Sequence, residues 1–173
     1  LMLPCALAAS ALEAGTGPCR VHQHLTGRQP DAGCDCENAE LCTHLPLVMI
    51  DTGGQEIPGA VASEKDSYGE NVGTLAPDGR DVIDAEVRIV DNQDRNNHPS
   101  DEAAVTAVSE IRIRGNSSRS FDKSPYRLNF VDENGEDLPV SVMGMAAHSE
   151  WVLYGPYLDK SLVRNYMWYN ISG

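Results

Sequence analysis

Residues Glu110–Val131 read EIRIRGNSSRSFDKSPYRLNFV. The stretch alternates at both ends: Ile111 and Ile113 fall on one side of an extended chain and Arg112 and Arg114 on the other, and Tyr126, Leu128 and Phe130 repeat the pattern after the break. A period of two marks a half-buried strand. The segment therefore predicts two strands, residues 110–114 and 126–131, joined by a polar loop that starts at Gly115.

The same signal extends outward in both directions. Residues 82–90 (VIDAEVRIV) set Ala85, Val87 and Ile89 against Asp84, Glu86 and Arg88, again a half-buried strand. Residues 45–50 (LPLVMI) form a short apolar run before a turn at Asp51-Thr52-Gly53-Gly54, and residues 151–154 (WVLY) form another that ends at Gly155-Pro156. Asn134-Gly135 is a strong tight-turn signal. Residues 64–81 read as a loop or weak edge. Residues 91–102 (DNQDRNNHPSDE) invite a calcium reading, but they lack the central Gly and closing Glu of an EF-hand loop and so read as a solvated connection. One helix is expected, with Asp159 as its cap and Leu162, Val163, Tyr166, Met167 and Ile171 at helical spacing. The expected fold class is α+β, mostly antiparallel sheet plus one helix.

At 173 residues the chain admits one domain plus a tail. Its 41% hydrophobic content suffices for a core, while 15 Gly and 10 Pro imply many turns. With 13 Lys+Arg against 26 Asp+Glu the formal charge is −13, which disfavours nucleic acid and anionic membrane surfaces as partners. The charge is not evenly spread. Residues 111–127 hold five of the thirteen bases (Arg112, Arg114, Arg119, Lys123, Arg127) and one of the 26 acids (Asp122), so this island is +4 and the remainder −17.

Such an island focuses a small polyanion. Its loop suits phosphate: Gly115 permits close backbone approach, Asn116, Ser117, Ser118 and Ser120 donate hydrogen bonds, and arginine offers bidentate donors. There is no Walker A or GxGxxG pattern, so side chains must replace a glycine cradle. The competing reading pairs these arginines with surface acids as solvated salt bridges.

Residues 1–15 open on an apolar, alanine-rich stretch (LMLPCALAASAL) that is too short to span a bilayer and reads as a truncated signal or leader segment, which implies export. Residues 16–44 form a Cys-rich linker. The five cysteines, Cys5, Cys19, Cys34, Cys36 and Cys42, admit disulfides, a zinc site shared with His22, His24 or His44, or inert thiols.

One succession of motifs is more specific: IRIRGNSSRSFDK at 111–123, YRLNF at 126–130, MGM at 143–145, WVL at 151–153 and DKSLVRN at 159–165. It resembles the spore-coat protein H (CotH) kinase family, with its RGNSS, FxK, WxL and DKSxxRN signatures in order. The resemblance implies that residues 45–173 are the N-terminal lobe of an atypical, two-lobed, kinase-like fold. It further implies a bacterial, exported protein of the envelope, extracellular space or spore surface, with no stable membrane span. The implied activity is transfer of the ATP γ-phosphoryl group to Ser/Thr hydroxyls of a spore-coat or envelope protein.

On the same resemblance the cofactors are ATP and Mg²⁺, and Lys123 is the candidate phosphate lysine, with Arg114, Arg112 and Ser118 as supporting contacts. The catalytic and metal-binding aspartates belong to a second lobe expected beyond residue 173, so none is assigned here. One departure stands out. In ordinary protein kinases a helix carboxylate holds the strand lysine, but residues 161–172 contain no acid, leaving only Asp159 or Glu150 for that part.

Two other functions compete. Leu47-Val-Met-Ile-Asp51-Thr-Gly-Gly54 matches the Asp-Thr-Gly pattern of aspartic proteases, but a single copy would have to dimerise to pair two carboxylates, and Asp51 reads more simply as a turn residue. The other is a non-catalytic exported β-rich envelope or adhesion module that binds an anionic ligand through the arginine island.

Overall fold

The computed structural model describes residues 41–172 apart from Asp94, and of Asn170 only the backbone. The leader at 1–15, nearly all of the Cys-rich linker at 16–44, and the pairing or zinc options for Cys5, Cys19, Cys34 and Cys36 lie outside the described residues.

Five strands form one antiparallel sheet: β1 Leu47–Asp51, β4 Ile83–Val90, β5 Val105–Ile113, β6 Tyr126–Val131 and β7 Glu150–Leu153, side by side in that order. A separate hairpin, β2 Val61–Lys65 with β3 Asn71–Gly73, is inserted between β1 and β4. Helix α1 spans Arg164–Ser172. This is the α+β arrangement expected, with β4, β6 and β7 within a residue or two of their predicted bounds.

Register explains the core. Ile83 lies opposite Ile111, Ala85 opposite Ser109 and Val87 opposite Ala107 across β4 and β5. Ile111 then faces Leu128 and Ser109 faces Phe130 on β6, and Leu128 faces Trp151 on β7. Because side chains alternate, these residues share one face of the sheet. Their burial follows: Val87 and Ile111 are 0% exposed and Phe130 1%. Among the described residues no helix covers that face. Ile57, Ala76, Val140, Val142, Met143 and Met145 from the connecting segments pack on it instead. The MGM motif therefore has a structural use: Met143 and Gly144 both take positive φ (52° and 76°), and the turn brings Val140–Met145 back over the core, closed by a Ser141 Oγ bond to the Met145 carbonyl (2.6 Å).

Aspartates hold several tight turns. Asp132 Oδ1 accepts the Asn134 and Glu136 N–H groups (2.8 and 2.9 Å) around Gly135, and Asp66 Oδ1 does the same for Tyr68 and Glu70 between β2 and β3 (2.9 Å each). The Asp51 carboxylate accepts the Gly53 N–H (2.8 Å), so the Asp-Thr-Gly stretch is a turn, as its simpler reading held. The backbone bonds from Glu136 and Asn134 keep the Asp132 carboxyl below the usual carboxylate range. A carboxyl depressed in the folded state stabilises the fold above about pH 4 and loses that contribution as pH falls through its folded value. We expect Asp132→Asn to melt below the wild type at pH 6 and the gap to close by pH 2 in thermal scans. A gap that persists at pH 2 would show that the charge is not what holds this turn.

Residues 91–102 depart from the solvated loop expected. Asn97 is 0% exposed. Its Oδ1 accepts the Asn92 N–H (2.7 Å), its Nδ2 donates to the Leu45 carbonyl (3.0 Å), and its backbone pairs in both directions with Thr43 (2.7 and 3.1 Å). The loop is polar because its side chains satisfy one another and the chain beside them.

α1 begins at Arg164, later than the Asp159 cap predicts, because Leu162 takes φ 60° and stays, with Val163, outside the helix. Asp159 accepts the Ser161 and Arg164 N–H groups (3.1 and 2.9 Å), and the Ser161 hydroxyl bond foremost holds its carboxyl below the usual range. Leu162, Tyr166, Met167, Trp168 and Ile171 are all exposed. Among the described residues no helix is long and apolar enough to cross a membrane.

Candidate anion-binding cleft

The C-terminal end of β5 meets the base of the β2–β3 hairpin. Ile113 donates its N–H to the Pro58 carbonyl (2.7 Å), and Gly59 donates to the Thr74 carbonyl (2.9 Å) and to Thr74 Oγ1 (3.1 Å). Gly59 makes this approach possible. Its φ is +100°, and a Cβ there would fall onto the Ile113 carbonyl oxygen. On the other side of the strand end, Gly115 (φ +108°) lets the Ser118 hydroxyl sit directly over the backbone, and residues 117–120 close into a 3-10 turn.

Between hairpin and loop lies a cleft of about 470 Å³ lined by Gly59, Val72–Leu75, Asp81, Arg112–Gly115 and Arg119. That volume is in the range of small-molecule sites. Three arginines line it against a single aspartate. Arg119 spans it, with Nη2 donating to the Asn71 carbonyl of β3 (3.1 Å) and Nε to the Asn116 carbonyl (3.5 Å). Arg112 Nη1 pairs with Asp81 at 2.6 Å, while exposed Arg114 appears in none of the described salt bridges.

Arg112 and Arg127 lie directly opposite each other across β5 and β6. Like charges so placed repel. Each has one carboxylate partner, Asp81 for Arg112 and Glu150 for Arg127 (2.9 Å), and the Arg127 bond holds the Glu150 carboxyl below its usual range. In both arginines Nε is buried with no acceptor in the structure. Buried donors of this kind are uncommon, and an anion lying against the pair is one acceptor that fits.

The four residues expected to contact phosphate divide in two. Arg112 and Arg114 line the cleft, joined by Arg119, which sequence reasoning placed in the cationic island without giving it a role. Ser118 supports the loop through Gly115 and does not line the cleft. Lys123 is exposed and does not line the cleft; in its loop Phe121 stacks on Tyr157 (4.9 Å between centroids), and the Lys123 backbone packs against Gly155. Neither candidate carboxylate pairs with it, since Glu150 takes Arg127 and Asp159 takes the start of α1. The hairpin half of the cleft gave little signal in the sequence: residues 64–81 read as a loop or weak edge, and β3 lies inside that stretch.

The cleft fits the polyphosphate of ATP by charge, donor type and size. It does not fit Mg²⁺: Asp81 is its one carboxylate, and among the described residues no group of three or more His, Cys, Asp or Glu side chains could hold a metal. No curated protein and no solved structure matches the chain. Residues 111–173 do match the family described as CotH kinase protein, and the RGNSS, FxK, WxL and DKSxxRN signatures all lie within the matched segment.

Proposed function

We propose that this chain supplies nucleotide-phosphate contacts to a CotH-type kinase that transfers the ATP γ-phosphoryl group to Ser/Thr hydroxyls of an exported coat or envelope protein. The observation that carries the reading is the cleft at the end of β5, where Arg112, Arg114 and Arg119 converge inside the segment matched by the family. Phosphoryl transfer depends mainly on positioning and charge stabilisation. Three guanidiniums on a rigid strand end and a short turn supply both, and β2–β3 closes the opposite side. In this reading the cleft grips the phosphates, while Lys123, outside the cleft lining, serves the site less directly than its motif position suggests. Metal ligands and the catalytic base are assigned outside residues 41–172.

Titration calorimetry on the full chain tests this with ATP and inorganic tripolyphosphate. Arg114→Ala should weaken ATP binding about tenfold, in line with a charge-assisted hydrogen bond, and Lys123→Ala should change it less than twofold. A loss confined to Lys123→Ala would move the phosphate site to the Tyr157 side. Equal affinity for tripolyphosphate and ATP would favour the anion-binding adhesion module, and no binding of either ligand would sink both readings.

A further inference from the structure

One charged side chain in the cleft opposes the other three. Asp81 lines the same space as Arg112, Arg114 and Arg119, and its Oδ2 accepts a bond from Arg112 Nη1 at 2.6 Å. Among the described residues Arg112 is the only partner of that carboxylate. The contact uses one nitrogen of the guanidinium, and Arg112 Nε stays buried without an acceptor, so the planar fork is only partly engaged. Arg80, next in the chain, is not available to Asp81: Asp78 holds its Nε (2.8 Å) and Asp84 its Nη1 (3.1 Å). Those contacts fix the turn that leads into β4, and the Asp81 side chain is 62% exposed beside it. Breaking the bond to Arg112 therefore returns a carboxylate to water with little loss.

We propose, resting on the reading of the cleft given above, that Asp81 is an internal competitor for the anion site: its carboxylate holds Arg112 in place of a ligand phosphate and is displaced when a polyphosphate binds. A phosphate group offers two oxygens to a guanidinium that Asp81 contacts through one nitrogen, so the exchange favours the ligand. The same ligand also gains Arg114, which appears in none of the described salt bridges. It gains Arg119 as well, whose charge is uncompensated because the acceptors of its Nε and Nη2 are neutral backbone carbonyls. Asp81 lowers the affinity in two ways. The ligand must free Arg112 first, so its apparent affinity falls by the fraction of molecules in which Arg112 is open. The displaced carboxylate then stays beside the bound phosphates as a like charge.

The test is titration calorimetry of the full chain with inorganic tripolyphosphate in EDTA, which keeps metal out of the comparison. Asp81→Asn should tighten binding about fivefold, the effect of removing an exposed ion pair that the ligand otherwise has to break. Glu86→Gln removes the same charge from an exposed position on β4 that does not line the cleft, and should change the affinity less than about twofold. A double-mutant cycle separates displacement from a general charge effect. Arg112→Ala should weaken binding about twofold in the wild type and about tenfold in Asp81→Asn, because only in the second does Arg112 start unopposed. An equal or smaller cost of Arg112→Ala in Asp81→Asn would overturn the proposal. So would unchanged or weaker binding by Asp81→Asn where Arg114→Ala still weakens it, a result that leaves the cleft itself standing. Tripolyphosphate affinity unmoved by Arg114→Ala and Asp81→Asn alike would overturn the cleft and the proposal together.

Discussion

Phe130→Ala should destabilise the fold by about 3–5 kcal/mol, the usual cost of truncating a buried aromatic residue. Phe130 is 1% exposed at the centre of β6, opposite Ser109 and one position along the same face from Leu128. Its ring fills space that the small Ser109 side chain leaves, and the covering segment Val140–Met145 rests on the same cluster. Neither Ser109 nor an aromatic-poor core can collapse into the hole, so the cavity should persist. Domains of this size hold about 5–15 kcal/mol in total, so the variant should be largely unfolded at 37 °C if the wild type lies at the lower end. Urea unfolding followed by the fluorescence of core-facing Trp151 measures the loss. A change under 1 kcal/mol would show that the sheet face is packed differently.

Gly59→Ala should detach the hairpin from the sheet and remove the cleft. Holding a non-glycine residue in that left-handed region costs about 1–3 kcal/mol, and here the new methyl also meets the Ile113 carbonyl oxygen. The cheaper outcome is local. The Ile113 bond to Pro58 breaks, β2–β3 swings from β5, and Arg119 loses its hold on Asn71. ATP affinity should then fall by at least tenfold, while urea unfolding of the five-stranded sheet changes by less. Wild-type affinity in Gly59→Ala would show that the hairpin is dispensable to the site, and a loss of the whole sheet would show that the two units unfold together.

The alternation of β4 and β6 was legible because the inward residues are large and apolar and the outward ones polar. The first half of β5 was not. Its inward residues are Val105, Ala107 and Ser109, and Val108 points out with 48% exposure, so the apolar pattern breaks at Val108–Ser109. Ser109 works as a core residue because it is small and sits under Phe130, which no local window reveals. The same limit applies to residues 91–102, where polarity suggested water but the side chains bond one another and the chain near Thr43. For the cleft, charge marked the cationic island from which Arg112 and Arg114 come. Its other wall depends on Gly59 meeting Ile113 across 54 positions, and Lys123 lies outside the cleft lining, in a loop where Phe121 stacks on Tyr157.

Helix α1 divides the described chain into two regimes of cooperativity. A nine-residue helix is marginal on its own in water, and among the described residues Met167, Trp168 and Ile171 stay more than half exposed. Its free energy of local opening is therefore set by the Asp159 cap and its own backbone bonds, well below the global value that protects β4 and β5. A single transition midpoint for this chain describes the sheet, and α1 frays on an equilibrium of its own.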